Sequence, residues 1–102
     1  LAEMWSVIEA MRYLAYHAAS TAVEGKYPRM MDVTTAKVFC NENAPRVCDL
    51  GLQLHGGDGT TKAFPIQRIW RDVRIGPFGG GVPAILKNMI ASTIVGRRDQ
   101  YK

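Results

Sequence analysis

Apolar residues recur at steps of three and four along most of this chain, and that spacing constrains its fold more than any other feature. The first segment is typical, with an apolar stripe formed by Leu1, Met4, Ile8, Met11, Ala15, Ala18 and Ala22. Residues at this spacing share one face of an α-helix, whereas a strand needs alternation, and no segment alternates clearly. The sequence therefore predicts an all-α protein: an up-and-down bundle of antiparallel helices, with a short helix across one end.

The chain contains signals for the ends of four helices, which are predicted over residues 1–24, 32–55, 65–74 and 83–96. Gly25 and Pro28 would end the first helix, and Asp32 or Thr34 would cap the second. Pro65 and Pro83 suit the first position of a helix, because an N–H there has no partner within the helix. Together the four helices are expected to form one domain, over residues 1–102.

Pro45 lies inside the second predicted helix. A proline there removes the hydrogen bond to the carbonyl of Asn41 and clashes with it, at a cost of about 3 kcal/mol in a regular helix. We therefore expect a kink near Asn41–Pro45 or a break into two helices. The apolar stripe of this helix is predicted to comprise Val33, Ala36, Cys40, Ala44, Val47, Gly51 and Leu54.

Composition excludes several classes of function. Apolar residues make up 47% of the chain and charged residues 22%, as in soluble globular proteins. No apolar run approaches the roughly 20 residues of a membrane span. The net charge of +4 is mild, and we interpret the basic cluster of Arg97, Arg98 and Lys102 as a solvated helix end. No nucleic-acid partner and no membrane span are expected.

Cys40 and Cys48 lie on one predicted helix, roughly 12 Å apart along its axis, which is beyond the reach of a disulfide. Without a Cys-x-x-Cys motif or a Cys/His cluster, no metal site is expected. Free thiols suit a reducing compartment, so the cytoplasm is predicted. The chain starts at Leu1 inside a predicted helix, which suggests a fragment whose bundle is incomplete at its N-terminus.

Two glycine-rich loops flank the third predicted helix. The first is Gln53-Leu54-His55-Gly56-Gly57-Asp58-Gly59, and the second contains Gly79-Gly80-Gly81. Glycine at this density indicates backbone that takes positive φ or passes close to another group. Taken alone, the first loop favours a helix C-cap followed by a turn over a ligand-binding loop.

The order of the motifs along the chain resembles the C-terminal helical domain of the acyl-CoA dehydrogenases. The resemblance covers essentially the whole chain, as the last four helices of that domain. It is carried by Ile8-Glu9-Ala10, Ala36-Lys37-Val38-Phe39, the first glycine loop, Phe64-Pro65-Ile66-Gln67-Arg68 and Arg71-Asp72-Val73-Arg74-Ile75. It implies part of an FAD enzyme that oxidises acyl-CoA to trans-2-enoyl-CoA. A carboxylate removes the α proton, and FAD accepts a hydride from the β carbon.

The resemblance also implies a cofactor site and partners. The first loop would contact the FAD of an adjacent subunit at Gln53, Gly56, Gly57 and Gly59. In the second loop, Gly81 and Val82 would contact the flavin. The family is usually homotetrameric, so a dimer or tetramer is expected. The usual electron acceptor is an electron-transferring flavoprotein.

Gly80 stands where many family members have the catalytic Glu of a Tyr-Glu-Gly-Thr motif, so no catalytic residue is predicted in this chain. Three interpretations remain open. The base lies upstream, on the preceding helix of the domain; the protein is a paralogue with different flavin chemistry; or it is a catalytically silent helical interaction subunit. The first is favoured, and the chain alone is not expected to be active.

The remaining polar candidates are predicted to be structural. A lone histidine at a helix end more often packs or caps than catalyses, and this applies to His55 and His17. Arg71, Asp72 and Arg74 are predicted to form a charge network at the end of the third helix. The resemblance implies that this segment supports the second glycine loop.

Overall fold

The computed structural model of the protein describes residues 1–96, in which every regular element is helical. The α-helices are α1 (Ala2–Ser20), α2 (Met30–Leu54), α3 (Ile66–Asp72) and α4 (Pro83–Ile94), and short 3₁₀ helices cover Gly56–Thr60 and Val73–Ile75. The all-α prediction is confirmed. The basic cluster of Arg97, Arg98 and Lys102 lies outside the described residues.

Helix α2 is the central element, because α1, α3 and α4 all pack against it. Its buried residues therefore lie on more than one side, and they are Thr34, Ala36, Val38, Val47 and Gly51. An ion pair joins Glu3 near the start of α1 to Arg46 in the second half of α2. Another joins Glu42 to Lys87 of α4. Because the start of α1 pairs with the second half of α2, these two helices run antiparallel, as expected for an up-and-down bundle.

The connection from α1 to α2 differs from the prediction. Helix α1 ends at Ser20 rather than near residue 24. The hydroxyl of Thr21 donates to the carbonyl of Ala18 at 2.7 Å and accepts from the N–H of Arg29 at 2.9 Å. This single side chain satisfies the helix end and folds the chain back. Gly25, at φ +76°, therefore lies in the turn that follows.

The start of α2 also differs from the prediction, since the helix begins at Met30 and Arg29 is its N-cap. Asp32 and Thr34 both lie within the helix, so neither caps it. The Asp32 carboxylate instead lies 2.7 Å from Nε of Arg29 and 3.4 Å from Nε2 of His17. An acidic residue in the first turn is also favoured by the helix dipole.

Of the two outcomes expected at Pro45, a kink or a break into two helices, the break does not occur, because α2 is one continuous helix from Met30 to Leu54. Packing of three other helices against α2 holds it together where the local hydrogen bond is missing. The later helices differ only at their ends. Helix α3 begins after Pro65 and is followed by the 3₁₀ turn Val73–Ile75, and α4 has Pro83 at its first position and ends at Ile94.

The described part of the chain does not enclose a complete core. Its Cα radius of gyration is 16.4 Å, against about 13 Å for a compact domain of 100 residues. The buried apolar residues are few and mostly small: Ala18, Ala36, Val38, Val47 and Leu86. Large side chains are exposed on α1, including Trp5 at 64%, Tyr13 at 70% and Tyr16 at 66%.

We therefore expect the purified chain to self-associate at micromolar concentration, because contiguous apolar faces of this kind drive association in water. Sedimentation velocity over a concentration series measures it. Replacing Tyr13 and Tyr16 by glutamate should shift the distribution toward monomer. A wild-type chain that sediments as a single monomer at all concentrations would contradict the expectation.

Candidate functional site

The first glycine loop lies at the C-terminal end of α2, where the 3₁₀ helix Gly56–Thr60 packs against α2 and α3. His55 is the C-cap of α2. Gly56 follows it at φ +60°, the left-handed conformation in which glycine is favoured after a helix. The conformation of the turn alone thus accounts for glycine at this position.

Gly59 has a different reason to be glycine. It is buried, and a Cβ at this position would lie 2.8 Å from Cβ of His55 and 2.9 Å from the carbonyl oxygen of Leu52. Neither atom is the end of a flexible side chain. Glycine here lets the 3₁₀ turn press directly onto the last turn of α2.

Neither backbone conformation nor close packing requires glycine at position 57. Its φ is not positive, and a Cβ would meet no atom within 4 Å. Gln53, near the end of α2, is also exposed. Nothing within the described chain requires glycine at position 57, so its backbone, like that of the equally exposed Gly56, is open to a group from outside.

The imidazole of His55 is held within the chain. Its Nδ1 lies 2.8 Å from the carbonyl oxygen of Gly51. Its ring packs edge-on against Phe64, with 5.5 Å between the centroids. These contacts fix the end of α2 to the segment that leads into α3, which is the packing role expected from the sequence.

The second glycine loop runs from Gly76 to Val82 and lies between α2 and α4. Gly80 and Gly81 have φ of +67° and +102°. A Cβ at Gly81 would lie 3.1 Å from Cδ2 of the buried Leu86. The turn and this packing account for Gly81, while Val82 is the N-cap residue of α4.

Two side chains of α2 face this loop, and the sequence-based search for site residues missed both. A Cβ at Gly80 would lie 3.3 Å from Nζ of Lys37, and a Cβ at Gly76 would lie 3.1 Å from Oδ1 of Asn41. Lys37 and Asn41 are four residues apart, a spacing that puts both on one face of α2. That spacing is visible in the sequence, but the apolar stripe alone does not reveal it.

The charge network predicted for Arg71, Asp72 and Arg74 is wrong for the part of the chain described. Asp72 lies 4.0 Å from Arg68, one helical turn earlier, and both side chains are exposed. The Arg74 guanidinium lies 5.7 Å from the centroid of the Phe78 ring. The physical reason is helical spacing: residues three or four apart meet on a helix, whereas adjacent ones diverge.

The two glycine loops do not meet in one pocket of this chain. The first packs on α2 at Leu52 and His55, and the second faces α2 at Lys37 and Asn41. At 1.5 Å per residue, Lys37 and Leu52 are roughly 22 Å apart along the helix axis. The predicted cofactor residues therefore form two separate groups, one toward each end of α2.

Other kinds of site find little support in residues 1–96. No group of three His, Cys, Asp or Glu side chains within this range could hold a metal ion. No helix in it has the length and apolar character needed to cross a membrane. Cys40 and Cys48 are free, and burial raises the pKa of both thiols, which disfavours the reactive thiolate.

Comparison with known proteins gives consistent matches. The family model of the acyl-CoA dehydrogenase C-terminal domain matches residues 1–95. The 3-sulfinopropanoyl-CoA desulfinase of Paraburkholderia xenovorans is 34% identical over 98 residues, which are 96% of this chain and 25% of that protein. Benzylmalonyl-CoA dehydrogenase of Aromatoleum aromaticum is 35% identical over 94 residues, covering 92% of this chain and 25% of that protein.

A solved structure gives the same result for the fold. A chain from work on the electron transferring flavoprotein of Acidaminococcus fermentans superposes with a TM-score of 0.86 and 33% identity, over 96% of this chain and 25% of that chain. The present chain thus spans about a quarter of the length of the relatives it matches.

Proposed function

Because the chain belongs to the acyl-CoA dehydrogenase family through its C-terminal domain, we propose that it is the C-terminal part of an FAD-dependent enzyme that oxidises an acyl-CoA to a 2-enoyl-CoA. The observation that carries the proposal is the match of residues 1–95 to that domain, together with the open backbone at Gly57. In this proposal residues 1–102 form one helical domain, which supplies cofactor-binding backbone and subunit contacts.

The first loop would hold FAD through Gln53, Gly56, Gly57 and Gly59. The open space at Gly57 fits such a contact, because main-chain N–H groups can approach an anion where no Cβ intervenes. Gly56 and Gly59 would act indirectly, by setting the shape of the turn. In the second loop, Gly81 and Val82 would contribute backbone. When bound, FAD supplies the two-electron acceptor for the oxidation.

The proton-abstracting carboxylate is proposed to come from a segment upstream of Leu1. Gly80 has no side chain, and the nearest described charged atom to its Cβ position is the Lys37 ammonium, which cannot accept a proton. The chain's own part in the reaction is then to shape the wall beside the acyl group. The sequence that precedes Leu1 in the gene tests this directly, since a carboxylate is required there.

A second candidate function is different flavin chemistry on the same scaffold. The observation that favours it is the relative from Paraburkholderia xenovorans, whose name describes a desulfinase rather than a dehydrogenase. A reaction that needs no α-proton base would leave position 80 free to be glycine. Product analysis by mass spectrometry separates a loss of two hydrogens from the loss of a sulfur group.

We also propose two protein partners, a second copy of the chain and an electron acceptor. The exposed aromatic side chains of α1 support burial in a homo-oligomer, either a dimer or a tetramer. The structural relative comes from work on an electron transferring flavoprotein, which supports a protein of that kind as the electron acceptor. A cytoplasmic location is proposed as well.

The FAD proposal is tested at Gly57. Replacing Gly57 by leucine in the complete protein should lower bound flavin at least tenfold, because the side chain would occupy the open space of the loop. Flavin absorbance per protein after gel filtration measures it. Ala22→Leu adds similar bulk at an exposed position in the connection after α1 and should leave flavin content unchanged. Unaltered flavin binding in Gly57→Leu, or a complete protein without flavin affinity, would contradict the proposal.

A further inference from the structure

Helix α1 carries an exposed stripe of four residues on the side that faces away from α2. Helix α1 packs against α2, and its buried residue Ala18 marks the side of that contact. At about 100° per residue, Trp5, Glu9, Arg12 and Tyr16 share an arc of about 60° on the far side of the helix. Trp5 is 64% and Tyr16 66% exposed. These four residues are called the outer stripe of α1.

The outer stripe has the spacing and the composition of a contact between helices. Its steps of four, three and four residues follow the seam of a coiled coil, in which side chains of one helix pack between those of another. Trp, Tyr and Arg are also enriched among the residues that dominate protein interfaces. Glu9 and Arg12 form an ion pair at the middle of the stripe, with one aromatic residue on either side.

The outer stripe is complementary to itself. Its steps read the same in both directions, so an antiparallel second α1 would place Trp5 opposite Tyr16 of the copy and Glu9 opposite Arg12 of the copy. A twofold axis then repeats each of these contacts. In a parallel pair, Glu9 would face Glu9 and Arg12 would face Arg12, and like charges at a contact are unfavourable. The charges therefore select the antiparallel arrangement.

We propose that the outer stripes of two copies of this chain pack together as an antiparallel pair of α1 helices, about a twofold axis between Glu9 and Arg12. The inference rests on the homo-oligomer of the proposed function, and it adds the helix, its orientation and the register. A helix of 19 residues is about 28 Å long. The area that one such helix pair can bury is at the low end for specific interfaces, so this contact alone gives weak association.

The test reverses the two charges of the outer stripe one at a time in the complete protein. Glu9→Arg leaves only positive charge in the stripe, and Arg12→Glu leaves only negative charge. Each variant alone should need about a tenfold higher concentration to assemble, because like charges would meet across the axis. An equimolar mixture of the two should assemble as the wild type does, since each positive stripe then meets a negative one. Sedimentation velocity over a concentration series measures this.

Control variants separate the contact from effects of net charge and of helix stability. Glu24→Arg and Lys26→Glu make the same changes of charge at exposed positions after α1, and both should assemble as the wild type does. The double variant with Glu9→Arg and Arg12→Glu has opposite charges again, both within each helix and between the two. It should also assemble as the wild type does.

Disulfide formation reports the orientation of the two helices. In a protein with Trp5→Cys and Tyr16→Cys, oxidation should link position 5 of one copy to position 16 of the other, as identified by mass spectrometry of the linked peptides. Links between identical positions would mark a parallel pair and overturn the inference. Single charge variants that assemble like the wild type, or a mixture that does not recover, would overturn it as well.

The same experiments distinguish failure of this inference from failure of the proposed enzyme. A complete protein that binds FAD but stays monomeric would overturn the helix pair and leave the flavin enzyme in place. A complete protein without flavin affinity that assembles through the outer stripe would support the helix pair and contradict the proposed enzyme.

Discussion

Gly59→Ala is expected to destabilise the fold by about 2 kcal/mol, because the new methyl group would have to enter a site that is already filled. The ideal Cβ position lies 2.9 Å from the Leu52 carbonyl oxygen and 2.8 Å from Cβ of His55. Leu52 lies in the last turn of α2 and His55 is its C-cap, so relief requires the 3₁₀ turn to move away from the helix. That movement would also weaken the contacts of His55 with Gly51 and Phe64. Gly59→Val should be more severe.

Urea denaturation followed by circular dichroism measures the effect, and Gly57 provides the matched control. Gly57→Ala should leave the free energy of unfolding unchanged or raise it by about 0.5 kcal/mol, because alanine restricts only the unfolded chain there. Equal stabilities of Gly59→Ala and Gly57→Ala would show that the turn does not pack on α2 as described.

The contrast between these two glycines separates stability from cofactor binding. Gly59→Ala should lower the stability of the protein and reduce flavin content only as folded protein is lost. Gly57→Leu should reduce flavin content in protein that remains folded. A loop in which every glycine contacted FAD directly would show the second behaviour at both positions.

The helices could be predicted from the sequence because their apolar spacing is local and regular. The ends of α1 and α2 could not, because they depend on contacts between distant residues. The hydroxyl of Thr21, at the end of α1, accepts a hydrogen bond from the backbone N–H of Arg29. No residue pattern around Thr21 predicts that contact. Asp32 has the chemistry of an N-cap, but its carboxylate pairs with Arg29 and His17 instead.

The sequence predicts which glycines belong to the candidate site, but it does not predict the role of each one. The sequence shows where glycine is dense, whereas the reason for each one depends on φ and on what surrounds a Cβ. For Gly59 the surroundings are the end of α2, and for Gly80 they are Lys37, which is far away in the sequence. Periodicity describes the apolar face of α2 and says nothing of the polar face that Lys37 and Asn41 share.

Pro45→Ala is expected to stabilise the fold by about 2–2.6 kcal/mol. A proline inside a helix costs about 3 kcal/mol, through the lost hydrogen bond and the clash with the carbonyl of Asn41. Part of this is offset, because proline also restricts the unfolded chain by roughly 0.4–1 kcal/mol. Helix α2 is continuous through Pro45, so packing with its neighbours compensates for the unfavourable residue, and alanine would remove the cost without altering that packing.

Urea denaturation of the Pro45→Ala variant tests this argument, with Pro28→Ala as the matched control. Pro28 lies in the connection before α2, outside any helix. Its replacement should give no gain and a loss of up to about 1 kcal/mol, because only the restriction on the unfolded chain is removed. If Pro45→Ala were instead destabilising, the proline ring itself would be part of the packing around α2. The continuity of the helix would then depend on the shape of the ring rather than on the neighbouring helices.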